Sequence, residues 1–374
     1  MSDGVFVPHR RFDWIDIAKG VGILSVMLVH SVIPAINAIT VHLSSFTIPL
    51  FFVLTGLTYS NEKHRHDFRA LLRTRGQQFM VPYFILYVIM MLLFAVLAPY
   101  VDTYLTPNQL LFWFVYGSGP PDSVTHLWFL PVLFFGFSVF VILDHVLKDQ
   151  PHWARYPLFA FLPLLAIWIQ ALFSPALVPW HLNAILISAT FVLIGNEIRW
   201  IRGLKSWRTK RPSVDLVLAM LLGACLIVVS QLNGFTDLAV DKLGASVWLY
   251  LVTGTLGSII VFIVSSYLTD LPERARSGAL ILGRNSQEIY EFHPLTFFIP
   301  AGIFVLLGLP LEPSLLLWLA RFTVAVFVSI PSVLLVVNRF SVTQFIFKGY
   351  ITDTSGQQTE ESASESSSAS ATEP

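Results

Sequence analysis

The chain alternates between long apolar blocks and short polar connections. Each block holds about 18 to 25 residues, the length that a helix needs to cross roughly 30 Å of hydrocarbon at about 1.5 Å per residue. The blocks do not alternate every second residue, as the strands of a membrane barrel would. The pattern predicts an all-α, polytopic transmembrane bundle of about ten spans, near residues 15 to 37, 43 to 60, 80 to 99, 127 to 147, 157 to 173, 182 to 199, 214 to 231, 244 to 267, 279 to 308 and 314 to 337.

Composition excludes an ordinary soluble domain. Hydrophobic residues make up 55% of the 374 positions and charged residues only 12%, with a mean hydropathy of +0.69. We therefore expect a multi-pass protein of the cell (inner or plasma) membrane, with the lipid bilayer around it. The formal net charge is zero, so nothing indicates a nucleic-acid partner. The single cysteine, Cys225, excludes an intramolecular disulfide.

The distribution of lysine and arginine predicts the orientation of the spans. Cationic loops stay on the cytoplasmic side of a membrane. The even-numbered connections hold nearly all of these residues, whereas the odd-numbered connections hold only Lys242. This pattern places both termini in the cytoplasm. We expect residues 1–350 to form one membrane-embedded domain and residues 351–374, rich in Ser and Glu, to form a disordered cytoplasmic tail.

The first predicted span carries three ionisable residues on one face. Such residues cost a few kcal/mol at membrane depth unless a partner or a function compensates. At roughly 100° per residue, Asp16, Lys19 and His30 share one stripe, with His30 about 16 Å above Lys19. One interpretation is an Asp16–Lys19 ion pair near the cytoplasmic surface and a His30 that hydrogen-bonds a neighbouring helix. The other is a catalytic site, because the pKa of histidine suits a general base.

The ninth predicted span also carries ionisable side chains, those of Glu288, Glu291 and His293. Counted from Ala279, His293 lies about 21 Å into this span, and His30 lies about 22 Å into the first. The two histidines therefore have matched depths and could share a cavity. The two glutamates fit either such a site or simple polar contacts that join helices.

Two clusters near the ends of spans give weaker signals. Arg69, Arg73 and Arg75 lie in the first large cytoplasmic loop, where topology explains positive charge but where arginine also binds phosphate bidentately. His126 and Trp128 open the fourth span at the external surface, where aromatic side chains usually form an interfacial belt. No nucleotide-binding or zinc-binding spacing occurs, so we expect neither a metal ion nor a bound cofactor.

Five blocks of the sequence resemble, in the right order, the motifs of acyltransferase family 3, a family of integral membrane proteins. They are Asp16-Ile-Ala-Lys19-Gly20 followed by His30; Ile48-Pro-Leu-Phe-Phe-Val-Leu-Thr-Gly56; Arg73 and Arg75 before Pro82; His126-Leu-Trp-Phe-Leu-Pro131; and Asn285-Ser286 through Ile289-Tyr290 to His293. The resemblance covers about residues 11 to 295. It is most similar to the branch of sugar O-acetylases related to fucose 4-O-acetylase.

This resemblance implies acyl transfer from a cytoplasmic acyl-CoA to a hydroxyl of a saccharide. Acetyl-CoA is the first expectation for the donor substrate, and the acceptor saccharide would be lipid-linked or part of an extracellular polysaccharide. The implied catalytic residues are His30, Lys19 and Asp16, and the implied acyl-CoA-binding residues are Arg69, Arg73 and Arg75. The residues implied to contact the acceptor, or to support those that do, are His126, Trp128, Glu288 and His293.

Two other functions fit a polytopic chain with charges at membrane depth. A transporter or flippase of a lipid-linked saccharide would use such charges, but it has no use for a phosphate-binding arginine loop beside a histidine stripe. A polysaccharide polymerase or ligase would usually carry large external loops with arginines, and here those loops hold only Lys242.

Overall fold

The computed structural model describes residues 12–33, 35–61, 67–97, 106–119 and 125–351. Within these ranges the fold is all-α, and the only β-type pairing is an isolated bridge between Asp237 and Lys242. The predicted tail, 351–374, lies outside the described residues from 352 onward. The α-helices are α1 Asp13–Val32, α2 Ala38–Ser44, α3 Thr47–Thr58, α4 Phe68–Leu97, α5 Pro107–Tyr116, α6 Phe129–Val146, α7 Leu158–Phe173, α8 Leu182–Arg202, α9 Pro212–Asn233, α10 Val247–Leu268, α11 Glu273–Arg284, α12 Ser286–Thr296, α13 Phe298–Leu306, α14 Leu315–Ser332 and α15 Ser341–Lys348.

The number of spans agrees with the prediction. Nine helical stretches in the described part of the chain are long and apolar enough to cross a membrane. The remaining predicted span, near 80 to 99, falls in α4, a single helix of 30 residues. At about 1.5 Å per residue, α4 is long enough to cross the hydrocarbon and to extend beyond it. The prediction of an all-α transmembrane bundle is confirmed.

Loop contacts sort the connections into two groups, one at each end of the bundle. At one end, Trp14 of α1 donates from Nε1 to the Leu204 carbonyl at 3.4 Å, and Arg208 pairs with Asp270 at 2.5 Å. At the other end, Ser118 donates to the Val178 carbonyl, and Val178 donates in turn to Asp241. The first group is built from the cationic connections, so we call it the cationic end and the second the opposite end.

The ninth predicted span begins later than expected. The helix expected from residue 279 is broken at Asn285, whose φ of −109° and ψ of 20° are not helical. Both ends of α11 lie at the cationic end. Asp270, which precedes the helix, contacts Arg208, and Arg284, its last residue, contacts Asp16. The helix is amphipathic and does not cross the bundle. The span is Ser286–Leu306, so the depth of His293 counted from Ala279 was wrong, because the chain only enters the bundle at Ser286.

The second predicted span, near 43 to 60, is also two helices, α2 and α3, which together form a stretch long enough to cross. Asn37 begins α2 with a capping box, in which its side chain accepts from the Ile39 and Thr40 amides. The helix is interrupted near Ser45, but the stretch Ala38–Thr58 as a whole is still long enough to cross.

Helix α1 lies in the centre of the bundle. Sixty-seven per cent of its apolar window is buried, against 17% for Pro212–Asn233 of α9. Large apolar side chains such as Leu221 and Leu232 of α9 are exposed, as expected for a surface that faces lipid. The ionisable stripe of α1 therefore lies inside the protein.

Helices α3 and α8 cross at close range through two glycines. A Cβ at Gly56 would collide with the Val192 carbonyl, and a Cβ at Gly195 would collide with the Val53 carbonyl. Small residues allow this approach, which is a common way to pack helices in a membrane. Helix α1 packs against α3 in turn.

Candidate active site

Two histidines from distant parts of the chain meet inside the bundle. His30 of α1 and His293 of α12 are joined by a hydrogen bond of 2.8 Å between Nδ1 and Nε2. Their rings stack with centroids 5.0 Å apart and planes inclined by 14°. His293 is fully buried, whereas His30 is half-buried and faces a cleft. The structure thus brings together the two histidines that were expected to share a cavity, although the depth counted for His293 was wrong.

The backbone of α12 determines which atoms of the pair carry protons. Nδ1 of His293 lies 2.8 Å from the Tyr290 carbonyl and 3.2 Å from the Ile289 carbonyl. Carbonyl oxygens only accept, so this Nδ1 donates, and in a neutral ring Nε2 must then accept. His30 therefore donates from Nδ1 to His293, which leaves the lone pair of the neutral His30 ring on Nε2.

One cleft opens from the opposite end toward His30, and we call it the histidine cleft. Its wall includes His126, Trp128, Thr236, Asp237 and Tyr250. Hydroxyl, carboxylate and aromatic groups of this kind suit a polar, hydroxylated ligand. Burial raises the pKa of the Asp237 carboxyl, while the Ala239 amide and Lys242 lower it.

A second cleft opens at the cationic end, and we call it the cationic cleft. Four cations line it: Lys19, Arg75, Arg284 and Lys348. Asp16 holds two of them, with Oδ1 3.1 Å from Lys19 Nζ and Oδ2 3.6 Å from Arg284 Nε. Asp16 thus positions cations at this cleft, about 21 Å of helix rise away from His30.

The predicted arginine cluster divides in the structure. Arg75 lines the cationic cleft and donates from Nη1 to Gln78 Oε1 at 2.8 Å. Arg69 and Arg73 are exposed on the surface of α4. The three side chains therefore do not form one site. Arg69 and Arg73 are four positions apart and share one face of α4, whereas Arg75, two positions beyond Arg73, lies on another face.

The glutamates of α12 lie between the two histidines and the cationic cleft. Glu288 is buried and pairs with Lys348. Glu291 accepts from Gln287 at Oε1, while its buried Oε2 has no hydrogen-bond partner among the described residues. A buried carboxyl oxygen without a hydrogen-bond partner is unusual in native proteins.

The two clefts share part of their walls. Ile48 and Tyr290 line both, and the Tyr290 hydroxyl donates to the His126 carbonyl. Tyr290 precedes His293 by one helical turn, so the clefts approach each other at the histidine pair. Of the histidine pair, His30 lines the histidine cleft, while the cationic cleft approaches the pair through Tyr290.

Residues 12–337 match a family described as an acyltransferase domain, acyltransferase family 3. This match covers most of the 374 residues. The chain belongs to acyltransferase family 3. No curated protein and no solved structure matches it. As an acyltransferase of this family, the protein needs a site where an acyl donor and an acceptor meet.

Several residues that line or adjoin the two clefts were missed by the sequence analysis. Tyr290 stood in a block that resembles a family motif, and Arg284 stood in the polar run before α12, so both had a signal. Asp237 and Lys348 had none beyond their charge, because loops and chain ends reach a site only through folding.

Proposed function

We propose that this membrane acyltransferase moves an acyl group, acetyl first, from acyl-CoA to a hydroxyl of a saccharide that is lipid-linked or part of an extracellular polysaccharide. The observation that carries the proposal is the histidine pair at the junction of a cationic and a polar cleft. Each cleft suits one substrate: His30 lines the histidine cleft, and the cationic cleft extends to Tyr290, one helical turn before His293.

The cationic cleft suits the donor. CoA carries three phosphate groups, and arginine and lysine bind phosphate through charge-assisted hydrogen bonds. Lys19, Arg75 and Arg284 surround this cleft, while Phe51, Leu54 and other apolar side chains line its inner part. The phosphates would stay among the cations while the thin pantetheine arm extends toward His30.

The histidine cleft suits the acceptor. Trp128 supplies an aromatic face, and Thr236 and Asp237 supply groups that hydrogen-bond hydroxyls. A saccharide presents both hydroxyl groups and apolar ring faces, which fits this mixture. The predicted orientation would place this cleft on the outer side of the membrane.

The proposed reaction needs one base. Nε2 of His30 takes the proton of the acceptor hydroxyl while its oxygen attacks the thioester carbonyl. The new C–O bond forms, the C–S bond breaks, and the proton passes from His30 to the departing thiolate. The hydrogen bond from His30 Nδ1 to His293 holds the ring in the tautomer that this step requires.

The test is acyl transfer by the purified full-length protein in nanodiscs, with labelled acetyl-CoA and a cell-envelope extract as the source of acceptors. We expect release of free CoA thiol and label in saccharide, both lost in the His30→Ala variant. If no label moves and proteoliposomes instead show saccharide flux, the flippase alternative would replace the proposal.

A further inference from the structure

The C-terminal end of the described chain lies at the cationic cleft. Helix α15 spans Ser341–Lys348, beyond the residues 12–337 that match the family. Lys348 and Tyr350 nevertheless line the cleft together with Arg75. A segment outside the shared domain therefore contributes a wall and a charge to the place proposed for the donor.

This segment is attached to both helices that build the cleft. Gly349 adopts a φ of +73°, and a Cβ there would collide with the Gln77 carbonyl of α4. On the other side, Gln287 of α12 donates from Nε2 to the Phe347 carbonyl at 3.4 Å. The position of Lys348 is therefore determined by α4 and α12 and not by a free chain end.

The charge of Lys348 is only loosely compensated. Its side chain is 15% exposed, and its Nζ lies 3.6 Å from Glu288 Oε1. That distance is too long for a hydrogen bond, so it marks an ion pair and leaves the ammonium protons for other acceptors. The ion pair with Glu288 offsets part of the cost of burying this ammonium, and its N–H groups keep capacity to donate to a further anion.

The balance of charges around the cleft favours an anion with several charges. Lys19, Arg75, Arg284 and Lys348 face one carboxylate, Glu288, among the described residues that line the cleft. Lys19 and Arg284 are already engaged by Asp16. Lys348 and Glu288 are 3.6 Å apart, the same separation as Arg284 and Asp16, so among the described lining residues Glu288 alone balances the cations that Asp16 does not hold.

We infer that Lys348 is a donor-binding residue that contacts a phosphate of acyl-CoA when the donor occupies the cationic cleft. This inference rests on the proposed function. It assigns the C-terminal segment to recognition of the nucleotide part of the donor, apart from the reacting thioester.

The experiment pairs a change in the protein with a change in the donor. Lys348→Gln is compared with the unchanged protein, using acetyl-CoA and S-acetylpantetheine, which lacks the nucleotide and all phosphates. We expect the KM for acetyl-CoA to rise roughly tenfold to a hundredfold, with kcat nearly unchanged and with S-acetylpantetheine used equally well by both proteins. Lys348→Arg should retain most of the affinity. Arg339→Gln removes an exposed positive charge nine positions earlier in the chain and should leave the KM for both donors unchanged.

Each outcome decides the inference. An equal loss with both donors would assign Lys348 to structure alone, and an unchanged KM would exclude the contact. Because Lys348→Gln leaves Glu288 unpaired, the double variant Glu288→Gln/Lys348→Gln must show the same preference between donors.

Binding of CoA itself, measured by calorimetry, separates the two proposals. Binding that depends on Lys348 without any turnover would sink the proposed function only, whereas turnover with unchanged CoA binding in Lys348→Gln would sink this inference only.

Discussion

The His30–His293 pair is chemically asymmetric, although the two side chains are the same. Two backbone carbonyls of α12 fix the proton of His293 on Nδ1, so its other nitrogen must accept from His30. His30 is therefore the member with a basic nitrogen on the cleft side. This asymmetry supports the proposal that His30 is the base and that His293 positions it.

His30→Ala should lower turnover by roughly two to four orders of magnitude, because it removes the base. Insertion and binding of acyl-CoA should remain, since Lys19, one of the cations of the cationic cleft, lies about 16 Å of helix rise from His30. Turnover and CoA binding by the same purified sample provide the measurement. Near-normal turnover in a correctly inserted variant would exclude this mechanism.

His293→Ala should lower kcat less than His30→Ala, by roughly tenfold to a hundredfold, because the base stays but loses the acceptor for its Nδ1 proton. His293→Gln, whose side-chain oxygen can accept that proton, should recover part of the loss. The pH profile of kcat should change in His293→Ala and return toward the original in His293→Gln. His293→Leu, which cannot accept a hydrogen bond, is the control. An equal recovery of kcat in His293→Gln and His293→Leu would contradict a positioning role.

Arg75→Ala should raise the KM for acyl-CoA far more than the KM for the acceptor, because only Arg75 of its cluster lines the cationic cleft. Arg73→Ala should have the smaller effect, since its side chain is exposed. Steady-state kinetics with each substrate varied in turn provide the test. Equal effects on both substrates in Arg75→Ala would return this arginine to a purely topological role.

At the scale of elements, the site depends on how closely helices approach each other. Gly20 and Gly283 let α11 lie directly on α1, which carries Arg284 to Asp16 and the cationic cleft. Gly56 and Gly195 do the same for α3 and α8. Because packed interiors leave no room for an added methyl group, these crossings should be sensitive to it.

Gly195→Ala should destabilise the protein by about 1–3 kcal/mol, because the new Cβ meets the Val53 carbonyl. Gly223→Ala is the matched control, since a Cβ there meets nothing within 4 Å. The control should be neutral or stabilising by up to about 1 kcal/mol through helix propensity. Thermal unfolding of both variants in the same detergent makes the comparison, and equal melting temperatures would contradict the tight crossing.

At the scale of the molecule, the two groups of loops agree with alternating spans. Cationic connections contact each other at one end, and connections poor in cations contact each other at the other. The cationic cleft opens with the first group and the histidine cleft with the second. If cationic loops stay on the cytoplasmic side, the cationic cleft, which we propose for the donor, faces the cytoplasm, where acyl-CoA is made.

Single cysteines in a Cys225→Ala background test this orientation. Lys148→Cys and Lys205→Cys, both at exposed positions of cationic connections, should resist a membrane-impermeant thiol reagent in intact cells. Ser174→Cys and Glu312→Cys, at exposed positions of the other connections, should react. Reaction at Lys205→Cys together with protection at Glu312→Cys would invert the topology and reverse the sides proposed for donor and acceptor.

The sequence by itself determined the class of the protein and the positions of most spans. Crossing a bilayer requires a helix of sufficient length and apolarity, and both are local properties that a single stretch of chain displays. For the same reason the ionisable residues of α1 and α12 stood out, since charge within an apolar block is visible without a structure.

Only the tertiary structure decided which of these residues meet. His30 and His293 are 263 positions apart and touch, whereas Arg69 and Arg75 are six apart and face different surroundings. The break at Asn285, the shared wall at Tyr290 and the arrival of Lys348 at the cationic cleft likewise result from packing between helices. A pattern along one dimension records which face of a helix is apolar, but not which neighbour covers it, because that choice depends on the shapes of both surfaces.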